Sequence, residues 1–226
     1  MCLRPALPPR ILGFSPWPDN NGTVRNNQGI GTITPRSAGR PPATDHGAIE
    51  RIAFDLFETN GFEQTRTLDI AQAAGISRRT LFRYFPTKND IPWGRFDEGL
   101  DELRATLRRT DATLPLGAAL QEGIVAFNSF DPEQLGQHVR RMRIIFSTPE
   151  LQAHAALKYA AWRRVVAEFV AWRLGIAIDA PEPTVAGHAA LAVALSAYDL
   201  WLRDPDQPLD DLIRSCYARS EPLWKV

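Results

Sequence analysis

One glycine, set between two short helical patterns that each open on a hydroxyl residue, constrains this chain more than any other feature. The stretch runs from Thr67 to Lys88 and reads TLDIAQAAGISRRTLFRYFPTK. Thr67 is placed to accept an orphan backbone N–H at a helix start. Ile70, Ala71 and Ala74 then recur at three- and four-residue spacing, on one helical face. Gly75 stands where the first helix must end in a left-handed residue. Ile76 fits the gap, Ser77 caps a second helix, and Leu81 and Phe85 give that helix an inward side. Pro86 closes it, because the residue before a proline avoids helical geometry. Two capped helices around a three-residue turn form a helix-turn-helix.

The outward side of the second helix carries Arg78, Arg79, Thr80, Arg83 and Tyr84. An arginine fork matches guanine O6 and N7 and also pairs with phosphate; threonine and tyrosine suit phosphate oxygens or a thymine methyl. Between Arg66 and Arg95 stand six basic residues (Arg66, Arg78, Arg79, Arg83, Lys88, Arg95) against Asp69 and Asp90. The whole chain balances at zero, so positive charge is concentrated where a DNA-reading helix needs it. A solvated basic face on an ordinary helical protein is the bland alternative; the cap–glycine–cap turn argues against it.

The series Thr67, Ile70, Ala71, Ala74, Gly75, Ile76, Ser77, Thr80, Leu81, Phe82, Tyr84, Phe85 and Lys88 resembles the tetracycline-repressor (TetR) family of bacterial regulators. The resemblance covers about fifty residues and implies an all-α, homodimeric, ligand-responsive transcription factor. It also implies a phosphate contact from Lys88. The run from Arg83 to Gly94 further resembles a subgroup, the regulators found beside genes for mycofactocin, a peptide-derived redox cofactor. The candidate DNA-contacting set is Arg40, Thr67, Ser77, Arg78, Arg79, Thr80, Arg83, Tyr84 and Lys88.

Residues 1–42 hold eight of the eighteen prolines and no apolar periodicity, so they bury too little to offset the entropy of ordering them. Arg36 and Arg40 could serve as a minor-groove arm; a dispensable tail is the alternative. The DNA-binding unit is expected at 43–90, where Ile49, Ile52, Ala53, Leu56 and Phe57 mark the core stripe of a first helix and Gly61 ends it. A helical ligand-binding and dimerisation domain is expected at 91–226. A fourth helix is predicted from Thr87 or Lys88 to Arg109 as a lever between the two. Proline-punctuated helices follow at 115–130, 132–146, 149–174, 183–203 and 208–221.

The aromatic stripe Tyr159, Trp162, Phe169 and Trp172 is ordinarily core. In a family that binds effectors between these helices, Trp93, Phe127, Met142, Phe146, Tyr159, Trp162 and Phe169 are the candidate ligand wall. Arg140, Arg141 and Arg143 are a candidate phosphate cluster, with a solvated basic face as the alternative. The expected effector is a small apolar molecule, an acyl-CoA first. The alanine-rich helix 183–203 is apolar almost all round. Together with the last helix it is the candidate dimer interface, through Leu195, Ala197, Tyr198, Trp201 and Leu212.

His46, His138, His154 and His188 are scattered without metal-ligand spacing, and neither a phosphate loop nor a nucleophile elbow occurs. No enzyme activity, cofactor or metal is expected. Cys2 and Cys216 make no disulfide framework and no run of eighteen apolar residues occurs, so the expected location is a bacterial cytoplasm, with no membrane partner. The reading is a DNA-binding transcriptional regulator, a repressor on a pseudo-palindromic double-stranded operator. Its alternatives are a ligand-independent DNA-binding protein and an all-α ligand-binding protein with no DNA role.

Overall fold

A computed structural model describes residues 45–224. Arg36, Arg40 and the extension at 1–42 lie outside the described residues. Among those described the chain is all-helical, with no strand, and it builds two apolar clusters.

The first cluster belongs to α1 (His46–Asn60), α2 (Thr67–Ala73) and α3 (Arg78–Tyr84). Asp45 caps α1 by accepting the Ala48 N–H at 2.7 Å, and Gly61 ends it at φ 82°. Phe62 folds back so that its ring lies 4.9 Å from Phe57, the apolar contact expected after such a stop. The cap of α2 differs from the sequence expectation. Arg66 is the N-cap and Thr67 the first helical residue; Asp69 reaches back to the Arg66 N–H at 3.0 Å. The Asp69 carboxylate thus satisfies the N–H of the N-cap residue itself, and the Asp69 and Ile70 N–H groups that a Thr67 cap would have served donate instead to the Arg66 carbonyl at 3.0 and 3.3 Å. Gly75 takes φ 66° in the turn, and Ser77 accepts the Thr80 N–H at 3.1 Å to start α3.

The predicted lever helix from 87 or 88 to 109 is two pieces. Lys88–Trp93 forms a 3₁₀ turn, Gly94 reverses the chain at φ 54°, and α4 runs Phe96–Arg109. Pro92 offers no N–H to continue an α-helical ladder, and a left-handed residue ends the turn. Ile91 seals the first cluster, whereas Trp93 enters the second.

The larger cluster is formed by α4, α5 (Leu116–Phe127), α6 (Pro132–Ser147), α7 (Pro149–Leu174), α8 (Pro181–Trp201) and α9 (Leu209–Arg219). Helices α7 and α8 lie closest. Ala186, Ala190, Ala194 and Ala197 turn a thin face inward, and a Cβ on Gly187 would come within 2.9 Å of the Arg163 carbonyl oxygen on α7. This overturns part of the expected dimer interface. Ala197 and Trp201 are fully buried within the chain, as is nearly all of Tyr198. The small-residue face brings α8 against its own neighbour, where burial of the rings is strongest. Leu195 and Leu212 are half-buried; Leu212 lies against the same core.

Two adjacent arginines fasten α6 to α1. Arg140 pairs with Asp55 at 2.6 Å and Glu58 at 2.5 Å near the surface. Arg141, buried, pairs with Glu50 at 2.5 Å. Arg143 is exposed. The expected three-arginine phosphate cluster is therefore divided: successive residues on a helix point about 100° apart, and two of the three guanidinium groups are held by α1 carboxylates.

Candidate nucleic-acid interface and ligand cavity

Helix α3 sorts its residues by the register Ser77 sets. Leu81 and Phe85 are buried, and Arg78, Arg79, Phe82 and Arg83 are exposed on the other side. The Arg78 guanidinium lies over the Phe82 ring at 5.6 Å, and Arg83 over the Tyr84 ring at 5.7 Å. Such contacts hold long cations against the helix without using their donors. Phe82 was not singled out as a contact residue from the sequence. Its signal was present: an apolar ring out of phase with the Leu81–Phe85 face. The hydroxyls of Ser77 and Thr80 lie 2.9 Å apart, so both serve the cap. Thr67 is half-buried at the start of α2.

Lys88 takes a more structural position than expected. Its ammonium donates to the Phe62 carbonyl at 3.0 Å and sits 4.3 Å from the Phe62 ring, so it ties the 3₁₀ turn to the loop after α1. Tyr84 is half-buried, its ring 6.1 Å from His46. Asp90 accepts from the Thr87 backbone N–H at 3.0 Å and from the Thr87 hydroxyl at 2.7 Å. It also meets His154 at 3.1 Å and Lys158 at 3.7 Å on α7. Burial opposes the charge on Asp90, but the Thr87 hydrogen bond and the Lys158 and His154 charges outweigh it and lower its pKa.

Inside the helical domain is a cavity of ≈ 70 Å³. Its wall includes five of the seven expected residues: Trp93, Phe127, Met142, Tyr159 and Trp162. Phe146 and Phe169 do not line it. Phe169 is buried in the core, and Phe146 packs at the cluster's edge, its ring 6.4 Å from Tyr198. The sequence pattern placed both rings on inward faces, and the helix rotations direct them past the cavity. Leu195, expected at the dimer contact, belongs to this wall.

The wall also holds polar groups: Asn128, His138, Arg141 and Tyr198. Of these only Asn128 is not singled out from the sequence, where Arg141 stands in the candidate phosphate cluster and Tyr198 at the candidate dimer contact. The Tyr198 hydroxyl donates to Asn128 Oδ1 at 2.7 Å, and His138 Nε2 lies 2.9 Å from the same hydroxyl. The tyrosine proton being committed to Asn128, His138 donates from Nε2 and leaves Nδ1 as an acceptor. Phe130 stacks on the imidazole at 3.8 Å. Burial and the nearby Arg141 charge drive the His138 pKa well below its ordinary 6.5, so the ring is neutral. Three helices meet in this network, with partners sixty and seventy residues apart, which no local pattern discloses.

A basic recognition helix in a capped helix-turn-helix, carried by a helical domain with an internal cavity, defines the class of helix-turn-helix transcription regulators. Residues 51–91 match the family described as bacterial regulatory proteins, tetR family, and residues 114–223 match the MftR C-terminal domain. The chain belongs to the TetR family. It is 43% identical over 179 residues to a Mycobacterium tuberculosis (strain ATCC 25618 / H37Rv) protein that bears the name mycofactocin biosynthesis transcriptional regulator MftR; the match spans 79% of this chain and 90% of that one. The fold is shared with solved regulators. A Rhodococcus sp. TetR-family structure matches with TM-score 0.52 at 17% identity, over 80% of this chain and 98% of that one. Bacillus subtilis FadR, solved with stearoyl-CoA, matches with TM-score 0.52 at 19% identity over the same shares. No helix among the described residues is long and apolar enough to cross a membrane.

Proposed function

We propose that this transcription regulator is a homodimeric repressor that leaves a pseudo-palindromic operator when an apolar effector of the acyl-CoA class enters the helical domain. The observation that carries the reading is the cavity. Aromatic and Met side chains line it, and it lies against the segment that leaves the DNA-binding unit, since Pro92 and Trp93 are part of its wall. Apolar walls with few polar groups suit a small organic ligand. The resemblance to FadR, a protein solved with stearoyl-CoA, favours an acyl chain.

Arg78, Arg79 and Arg83 read or grip DNA from α3, with Ser77, Thr80 and Tyr84 beside them and Lys88 bracing the turn. Two-fold symmetry then places two such helices in successive major grooves. The exposed stripe of α8, with Val185, Ala192, Ser196 and Leu200, recurs at helical spacing and is suited to a second copy. The effector must favour the DNA-incompetent arrangement, since equal affinity for both would shift nothing.

The test titrates acyl-CoAs of increasing chain length into the protein–operator complex while following tryptophan fluorescence and DNA release. Quenching with release is expected. Neither quenching nor release at any length would remove this effector class, and binding without release would assign the ligand a structural role.

A further inference from the structure

Among the described residues Arg141 is the one guanidinium in the cavity wall, and the partners on which it closes belong to the other half of the molecule. Its Nη1 donates to the Pro92 carbonyl at 2.8 Å and its Nη2 to Glu50 at 2.5 Å. Phe54 of α1 lies 5.5 Å under it. Glu50 is itself buried, and its second carboxylate oxygen lies 2.9 Å from His46 Nδ1. The His46 ring in turn lies 4.2 Å from Phe85, the buried residue that ends the recognition helix. A continuous path of charge and ring contacts thus runs from the cavity wall to α3. A buried charge pair of this kind is costly to break on one side only, because the remaining charge keeps its desolvation penalty.

A second, independent observation concerns the same wall. Trp93 Nε1 is a buried donor with no partner among the described residues, and Trp93 adjoins Pro92, whose carbonyl Arg141 holds. The wall therefore carries donors, Arg141 and Trp93, that an accepting oxygen would match, beside one buried acceptor, His138 Nδ1, that is also without a partner among the described residues.

We infer that Arg141 is the coupling residue: an accepting oxygen at the head of an apolar ligand, carboxylate or thioester carbonyl, competes with Glu50 for the guanidinium and loosens α1 and the recognition helix from α6. This rests on the proposed effector reading for its direction, release rather than recruitment. The guanidinium fork has a fixed geometry, so donors turned to a ligand are withdrawn from Glu50 and Pro92. Arg140 keeps its own pairs with Asp55 and Glu58, so α6 stays tethered at the surface while the buried link yields.

The experiment uses the full-length chain and needs no ligand in its first arm. Glu50→Gln keeps the shape and removes the charge. It should lower operator affinity on the order of tenfold, within the range of known coupling free energies, with the dimer retained and the melting temperature lowered, because Arg141 keeps its buried charge without the carboxylate. Glu168→Gln, which breaks the Arg104 and Arg164 ion pairs away from α1, should leave operator affinity unchanged. In the second arm, Glu50→Met with Arg141→Met replaces the pair by apolar volume, a change that buried pairs tolerate. That variant should bind the operator and should bind dodecanoate or dodecanoyl-CoA more weakly, through the apolar wall alone; at ligand saturation, followed by tryptophan quenching, neither should release it from the operator. Which of the two probes releases the wild type separates the carboxylate from the thioester source.

Operator affinity within twofold of wild type in a folded Glu50→Gln protein, or undiminished release in the double variant, would overturn the inference. If Glu50→Gln weakens the operator but neither probe releases the wild type, the link stands and the acyl effector reading fails.

Discussion

Removing one oxygen from Tyr198 tests whether the buried polar network holds the helical domain together. In Tyr198→Phe the ring remains, so apolar burial is conserved and no cavity opens beyond the hydroxyl itself. Two partners lose their bond: Asn128 Oδ1, which accepts at 2.7 Å, and His138 Nε2, at 2.9 Å. Asn128 and His138 are both buried. Each buried polar group left without a partner costs about 1–3 kcal/mol, so the two together cost roughly 2–6 kcal/mol. Both groups line the cavity, and a water drawn there can bridge them. The lower part of that range, about 2–3 kcal/mol, is therefore expected. The assay is urea unfolding at one fixed protein concentration, since dimerisation would link stability to concentration. His138→Phe and the double variant complete a cycle; with His138 gone, Tyr198→Phe should cost about half as much, because only Asn128 is then orphaned. A loss below about 0.5 kcal/mol for Tyr198→Phe, with an unchanged m-value, would refute the reasoning.

Further outcomes follow from the same geometry. Arg78→Ala or Arg79→Ala should cost about 1–3 kcal/mol on the operator and relax specificity at one position, read by binding to operator and random duplexes across a salt series. Ala192→Glu with Leu200→Glu should give soluble monomers in sedimentation, because both positions are exposed on α8. Ala197→Glu should instead lose the fold, because Ala197 is fully buried against the chain's own core. For pH, the folded chain holds His138 neutral, with its pKa depressed below 6.5 by burial and by Arg141. Below that value the unfolded chain binds a proton that the folded chain refuses, so stability is highest above pH 6.5 and falls as pH drops through it. The Glu50 carboxylate is opposed by burial but held below its ordinary 4.5 by the Arg141 charge and by hydrogen bonds from His46 and Arg141. Its contribution is present above that value and is lost as pH falls further. A thermal-melting series should show the first decline vanish in His138→Phe while the second persists.

The sequence by itself determined the helix-turn-helix, because its signals are local. Ser77 caps a helix through an atom three residues away, Gly75 and Gly61 adopt backbone conformations no other residue takes as readily, and the spacing of Leu81 and Phe85 assigns faces within one helix. The split of the predicted fourth helix was also within reach, since Pro92 and Gly94 both stand in the text. What only the tertiary structure decided is which neighbour each face meets. Helical spacing showed that the alanines of α8 share a side, but could not say whether that side meets α7 or a second copy; the close approach at Gly187 decided for α7. It likewise put Arg140, Arg141 and Arg143 in one run, whereas their roles depend on Asp55, Glu58 and Glu50, eighty or more residues away. Five of the seven expected wall residues line the cavity, because aromatic residues on inward faces tend to surround whatever space the core leaves. The polar half of that wall, Arg141 with its hold on Glu50 above all, was illegible, because a buried charge is written in the sequence like an exposed one and only the folded chain removes the water.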